Sequence, residues 1–253
     1  MGEVRVAATA VTLLTRLPLA RFANADPSAM SAATRWFPAV GLLIGALLAL
    51  TLLAADAAAP ASLAVVATIV MGVLLTGGLH EDGLADVADS TGAFGVERKL
   101  AVMRDSRIGT YGALALLLLV LARFVALSAL VPAGTALVLA ALVAAHLLAR
   151  WSNVGLMAAL PYARPEGAGG LVPHDVHRRE VVVASLAGAV CLVPAMVMAP
   201  LLTVLAVGLA VLATVAAGWW FKRSFGGITG DCLGASNVLV EMVILTAATG
   251  FVA

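Results

Sequence analysis

Ala61-Ser-Leu-Ala-Val-Val-Ala-Thr-Ile-Val-Met-Gly-Val-Leu-Leu-Thr-Gly-Gly-Leu79 carries no charge, and it runs straight into His80-Glu81-Asp82-Gly83-Leu84-Ala85-Asp86-Val87-Ala88-Asp89. The first part is close to the ~20 residues that a helix needs to cross the hydrocarbon core of a bilayer. The second part holds acids and no Lys or Arg. In a helix, Asp82, Asp86 and Asp89 stand at i, i+4 and i+7 and share one face. Carboxylates about 6 Å apart repel by roughly 3 kcal/mol per pair at an effective dielectric of about 20. A divalent cation removes that repulsion, and oxygen-rich clusters of this kind suit Mg²⁺, Mn²⁺ or Ca²⁺.

The rest of the chain agrees with a membrane setting. Its 253 residues are 62% hydrophobic and 11% charged, against about 25% charged in soluble domains. Mean hydropathy is +1.08. The expected class is all-α: a polytopic membrane helix bundle in one catalytic unit over residues 1–253, with about seven crossings. Strands of a barrel would alternate in polarity, and these runs do not. The expected spans are 37–55, 61–79, 111–131, 135–150, 181–198, 201–220 and 234–252. Residues 1–36 read as a cytoplasmic or interfacial segment, with an amphipathic helix near Val6 to Leu17. The Gly41-x-x-x-Gly45 pattern admits close helix approach, and a homo-oligomer is one arrangement it allows, although two glycines at that spacing are common by chance in a Gly-rich chain. A net charge of +1 with no basic run gives no nucleic-acid surface. Cys191 and Cys232 read as free thiols. Val6 to Leu14 is short and Glu3 precedes it, so no cleavable signal peptide is expected.

The loops fall into two kinds. Those near 56–60, 132–134 and 199–200 are short and nearly uncharged, whereas 80–110, 151–180 and 221–233 are long and polar. With seven crossings the polar loops and the N-terminus share a side. Of the 15 Lys and Arg, all but Arg123 lie on or at the boundary of that side, which the positive-inside rule makes cytoplasmic. A multi-pass protein of the bacterial inner membrane, with its chemistry facing the cytoplasm, is the expectation.

A second set of residues follows the acids: Arg98, Lys99, Arg104 and Arg107. Acids to hold a metal, then bases to hold anions, is the layout of a phosphate-handling site. Asp105 and Arg107 also read as an ordinary surface ion pair. Arg123, deep in an apolar span, needs a polar cavity or a carboxylate, and Glu241 is the natural partner; Asn237 shares a helix face with Glu241. His146 and Arg150 form another i, i+4 pair, with Arg150 placed to snorkel from the end of its span. Gly226-Gly227-Ile228-Thr229-Gly230-Asp231 before the last helix suits an anion or a metal-bound phosphate, and equally a turn capped by Asp231. The loop 161–179 reads as a glycine-rich basic flap, with His174 and His177 a weak metal pair.

These residues carry a resemblance. His80-Glu-Asp82-Gly83-Leu-Ala-Asp86-Val-Ala-Asp89 and Met103-Arg-Asp105-Ser106-Arg107-Ile-Gly109-Thr-Tyr-Gly112 resemble the cobalamin synthase family, the adenosylcobinamide-GDP ribazoletransferases. Leu14-Thr-Arg16-Leu-Pro18, Pro161-Tyr162-Ala-Arg164 and Thr229-Gly230-Asp231-Cys-Leu-Gly234-Ala235 agree in order along the chain. Ser90 departs from the pattern, where Gly is expected. The resemblance implies a membrane enzyme of the last steps of vitamin B12 assembly. It joins adenosylcobinamide-GDP to α-ribazole or its 5′-phosphate, releases GMP, and uses Mg²⁺. Asp82, Asp86, Asp89 and Asp231 become the expected metal ligands, with Asp89 alternatively the base. Arg107 becomes a catalytic clamp on phosphate. His80, Arg104, Asp105, Ser106, Arg150, Gly230, Asn237 and Glu241 join it as expected substrate contacts.

The acidic helix also resembles, more distantly, that of CDP-alcohol phosphotransferases, although here Asp86 and Asp89 follow Gly83 rather than precede it. A divalent-cation transporter is the reading from another class. Transporters, however, place coupling sites near the midplane, and these acids lie at one mouth.

Overall fold

The computed structural model describes residues 2–24, 26–163 and 176–252. Among them the regular structure is helical: α1 Glu3–Leu14, α2 Pro27–Ala33, α3 Phe37–Asp56, α4 Ala61–Thr76, α5 Leu79–Ser90, α6 Val96–Val102, α7 Thr110–Leu130, α8 Thr135–Ala159, α9 Arg178–Met198, α10 Pro200–Phe225 and α11 Gly230–Thr249. Six helical segments are long and apolar enough to cross a membrane, and α4 with α5 makes a seventh if that bent pair is one crossing.

The all-helical class is as expected, but the second span differs. α4 does not continue into the acidic segment. Gly77 and Gly78 take φ of +68° and +70°, a conformation that other residues reach only at a cost, and α5 leaves at 88° to α4. The acids therefore sit on a short helix that turns across the bundle. Nothing in the apolar pattern marked this break; the adjacent glycines were the only local signal.

Burial separates a central pair of helices from the rest. The most apolar windows of α8 and α11 are 72% and 67% buried, against 28%, 22% and 33% for α7, α9 and α10. The outer helices present apolar side chains such as Leu117, Leu118, Leu121 and Val125 outward, which suits lipid contact. α3 lies along α8. A Cβ on Gly41 or Gly45 would collide with the backbone of His146 or Leu142, so the small-residue face is used inside the chain and not between copies. α8 also runs past the expected end at Arg150 to Ala159. Trp151-Ser152-Asn153 therefore belongs to a helix and not to a loop.

Candidate active site

α5 presents different residues to different surroundings. His80 and Glu81 turn inward and Asp82 is exposed. Glu81 Oε1 accepts from Arg123 of α7 at 2.6 Å, and the same guanidinium donates through Nε and NH2 to the two oxygens of Glu241 on α11, at 2.8 and 2.9 Å. Arg150 NH1 donates to His146 Nδ1 at 2.9 Å. Arg has no acceptor, so that ring nitrogen is the unprotonated one and His146 is neutral. Two cations and two carboxylates thus balance around a cavity of about 30 Å³, room for about one water. The expected Arg123–Glu241 pair is present, and Glu81 is its third member. Arg150 does not snorkel: it is 1% exposed, because the helix carrying it continues well beyond it.

The three aspartates do not act as one group. Asp82 and Asp86, one turn apart, line a cleft of about 490 Å³ together with Arg16, Gly77, Ser106 and Arg107. Asp89 is not in that lining. Its two carboxylate oxygens accept from the backbone N–H of Gly109 at 2.7 Å and of Gly112 at 2.8 Å. They satisfy donors at the start of α7, and a Cβ on either glycine would strike them. Among the described residues, no group of three or more His, Cys, Asp or Glu is gathered to hold a metal. Two carboxylates facing one cleft still fit Mg²⁺, which is commonly held by one or two carboxylates plus substrate phosphates.

The bases divide in the same way. Arg107 and Ser106 line the cleft. Arg104 is exposed outside it. Asp105 accepts from Arg107 Nε at 2.9 Å, NH2 at 2.6 Å and backbone N at 3.1 Å. The side-chain hydrogen bonds from Arg107, then its backbone N–H, hold the Asp105 carboxyl down at about 2 from an ordinary 3.8. Arg16, absent from the expected site, reaches the cleft because its backbone N–H donates to Leu75 O at 2.7 Å, which ties the N-terminal segment to the end of α4.

α11 brings a third carboxylate, Asp231. Its N-cap is Thr229, whose Oγ1 accepts from Cys232 N at 3.2 Å; Asp231 sits in the first turn instead of capping it. The loop before it is pinned by a parallel bridge, with Ala163 N donating to Ile228 O at 2.8 Å and Ile228 N to Pro161 O at 2.9 Å. Gly83 packs against Gly234 and the backbone of Asp231, so Gly83 lets α5 and α11 approach. Asp82 and Asp231 line a second, more apolar slot beside the cleft, with His80 and Gly230. Asn237 is buried deeper, with both side-chain polar atoms unpartnered. Residues 164–175, most of the expected flap including His174, lie outside the described residues; His177 precedes α9 as its N-cap residue.

Asn153 was missed. It lines the slot from α8, and continuing the His146–Arg150 spacing by three residues, then four to Met157, would have found it.

Residues 6–249 match the family described as Cobalamin-5-phosphate synthase. The chain belongs to this family. An adenosylcobinamide-GDP ribazoletransferase of Ralstonia nicotianae is 37% identical over 238 residues, covering 93% of this chain and 91% of that protein. One from Shewanella amazonensis is 39% identical over 246 residues, covering 96% and 94%. No solved structure matches the chain. Family membership and the polar cleft at the end of a helix bundle make this a membrane-embedded transferase.

Proposed function

We propose that this protein joins adenosylcobinamide-GDP to α-ribazole or its 5′-phosphate, releasing GMP and forming adenosylcobalamin or its phosphate, at the cytoplasmic face of the bacterial inner membrane. The observation that carries this reading is the position of Asp82. It belongs both to the open cleft with Arg16 and Arg107 and to the slot shared with Asp231. A donor pyrophosphate in the cleft and an acceptor hydroxyl in the slot would meet there.

The chemistry is an exchange at phosphorus. A ribose hydroxyl attacks the phosphorus bonded to the cobinamide side, the P–O bond to GMP breaks, and the hydroxyl proton goes to a carboxylate. Alignment and charge neutralisation dominate such reactions. Arg107 and Arg16 clamp phosphate oxygens in the cleft. Asp231, on the slot side, takes the hydroxyl proton. Asp82 and Asp86 hold Mg²⁺, which when bound supplies positive charge against the pyrophosphate and the departing GMP. Asp89 keeps α7 in register with α5.

Asp82→Asn is expected to abolish cobalamin formation and GMP release in membranes while the protein still folds. Near-wild-type GMP release by that variant would refute the assignment. Titrating Mg²⁺ against EDTA in the same assay tests the metal. A reporter fused at the N-terminus tests the sidedness, since a periplasmic signal would contradict a cytoplasmic cleft.

A further inference from the structure

Phe94, in the turn between α5 and α6, is 96% exposed, more than any other large apolar side chain among the described residues. Val96 beside it is exposed too. Residues 91–104 carry three bases, Arg98, Lys99 and Arg104, against one acid, Glu97. Arg98 and Arg104 are exposed, whereas Lys99 holds its ammonium over the Phe225 ring at 5.8 Å. A single exposed apolar residue is ordinary; this one stands where the outer wall of the bundle ends. On α7, Tyr111, Leu114, Leu118, Leu121 and Val125 are all exposed and keep the spacing of one helix face. That face is roughly 20 Å long, and in a crossing helix it meets lipid. Tyr111 is its last member. The turn is fastened there, because a Cβ on Gly92 would lie 3.0 Å from the Tyr111 ring. Phe94 follows two residues later. Tyr at the end of a span marks the headgroup layer, and apolar side chains accompanied by bases suit that layer.

We propose that residues 91–104 form an interfacial anchor on anionic phospholipid. Phe94 enters the headgroup layer of the membrane that the bundle spans, and Arg98 and Arg104 pair with lipid phosphates. α5 ends at Ser90, so the anchored turn begins one residue beyond the helix that carries Asp82 and Asp86. The proposal needs the membrane setting of the helices and not the chemistry of the cleft, so its failure leaves the transferase reading untouched.

The test uses the full chain in nanodiscs of phosphatidylcholine, with or without phosphatidylglycerol. A spin label is placed at Phe94→Cys in a Cys191→Ser background, where the remaining Cys232 is buried. Labels at Val125→Cys, on the outward face of α7, and at Ser106→Cys, in the cleft, bracket the scale. Collision with oxygen reports lipid, and collision with a nickel chelate reports water. With phosphatidylglycerol present, the Phe94→Cys label is expected to follow the Val125→Cys label. Without it, the label should shift towards the behaviour of Ser106→Cys. Each base at an anionic surface shifts occupancy about fivefold. Arg98→Gln combined with Arg104→Gln should therefore remove most of the difference between the bilayers. An unmoved Val125→Cys label in that variant shows that the bundle is intact. A Phe94→Cys label that follows Ser106→Cys in both bilayers overturns the proposal. So does one shielded from both reagents, since protein and not lipid then covers the turn. Equal depth in the two bilayers, or a difference that survives loss of both arginines, overturns it as well.

Discussion

Arg123 meets Glu241 through Nε and NH2 inside the bundle, and Arg107 meets Asp105 through Nε and NH2 in the open. The first Arg side chain is 10% exposed and the second 86%. The same fork of donors therefore works in two dielectrics. Inside, each charge depends on its partner, because an unpaired ion has no water to turn to. Outside, water competes for both partners and the pair adds little to stability. Arg107 is thus free to exchange Asp105 for a phosphate, whereas Arg123 cannot leave Glu81 and Glu241 without stranding them. The buried fork holds helices together, and the exposed one is available to substrate.

The largest expected effect that tests this contrast is on the buried side. Arg123→Leu leaves two carboxylates buried beside α5 and should cost about 3–5 kcal/mol of stability, measured by unfolding in detergent micelles. Adding Glu241→Leu should recover part of that loss. A single variant as stable as the parent would break the contrast. Next comes Asp89→Ala, which removes the acceptor for the Gly109 and Gly112 amides. A loss of about 1–2 kcal/mol, comparable to deleting a helix cap, and faster hydrogen exchange at those two amides are expected. Asp89→Asn should lose less, since it keeps one carbonyl oxygen.

On the exposed side, Arg107→Ala should leave stability within about 0.5 kcal/mol yet raise KM for the GDP-linked substrate. Unchanged KM would show that its cleft position is idle. The smallest effect concerns pH. The depressed Asp105 carboxyl stays ionised above its ordinary 3.8, and its pairing with Arg107 is lost only as pH falls through about 2. Asp105→Asn should therefore leave the shape of the pH–rate profile unchanged across the neutral range.

Much of this arrangement was legible in the sequence. Apolar runs of bilayer length gave the helices, because lipid leaves backbone polar groups no other way to be satisfied. Glu241 was found for Arg123 by the same scarcity. What was not legible depends on distances across the fold. The i, i+4, i+7 spacing put Asp82, Asp86 and Asp89 on one face correctly. It could not tell that the far end of that face meets the start of α7, where amides claim Asp89. A drop in hydropathy after Arg150 looked like a loop, yet the polar residues that follow face the interior of the longest-buried helix. Arg16 was hidden for a related reason, since it reaches the site through Leu75, remote in sequence; Asn153 was hidden because its helix was expected to end at Arg150 and runs on to Ala159.

The 88° turn at Gly77 and Gly78 has a mechanical consequence. A helix that ran straight on would aim its carboxylates along the bundle like rungs on a ladder. Laid crosswise, α5 becomes a shelf with an underside: Glu81 grips the charged interior and its neighbour Asp82 meets the aqueous cleft. Rotation of this shelf about its own length would move both, so the wall of the cleft and one arm of the buried charge cluster are parts of the same short helix.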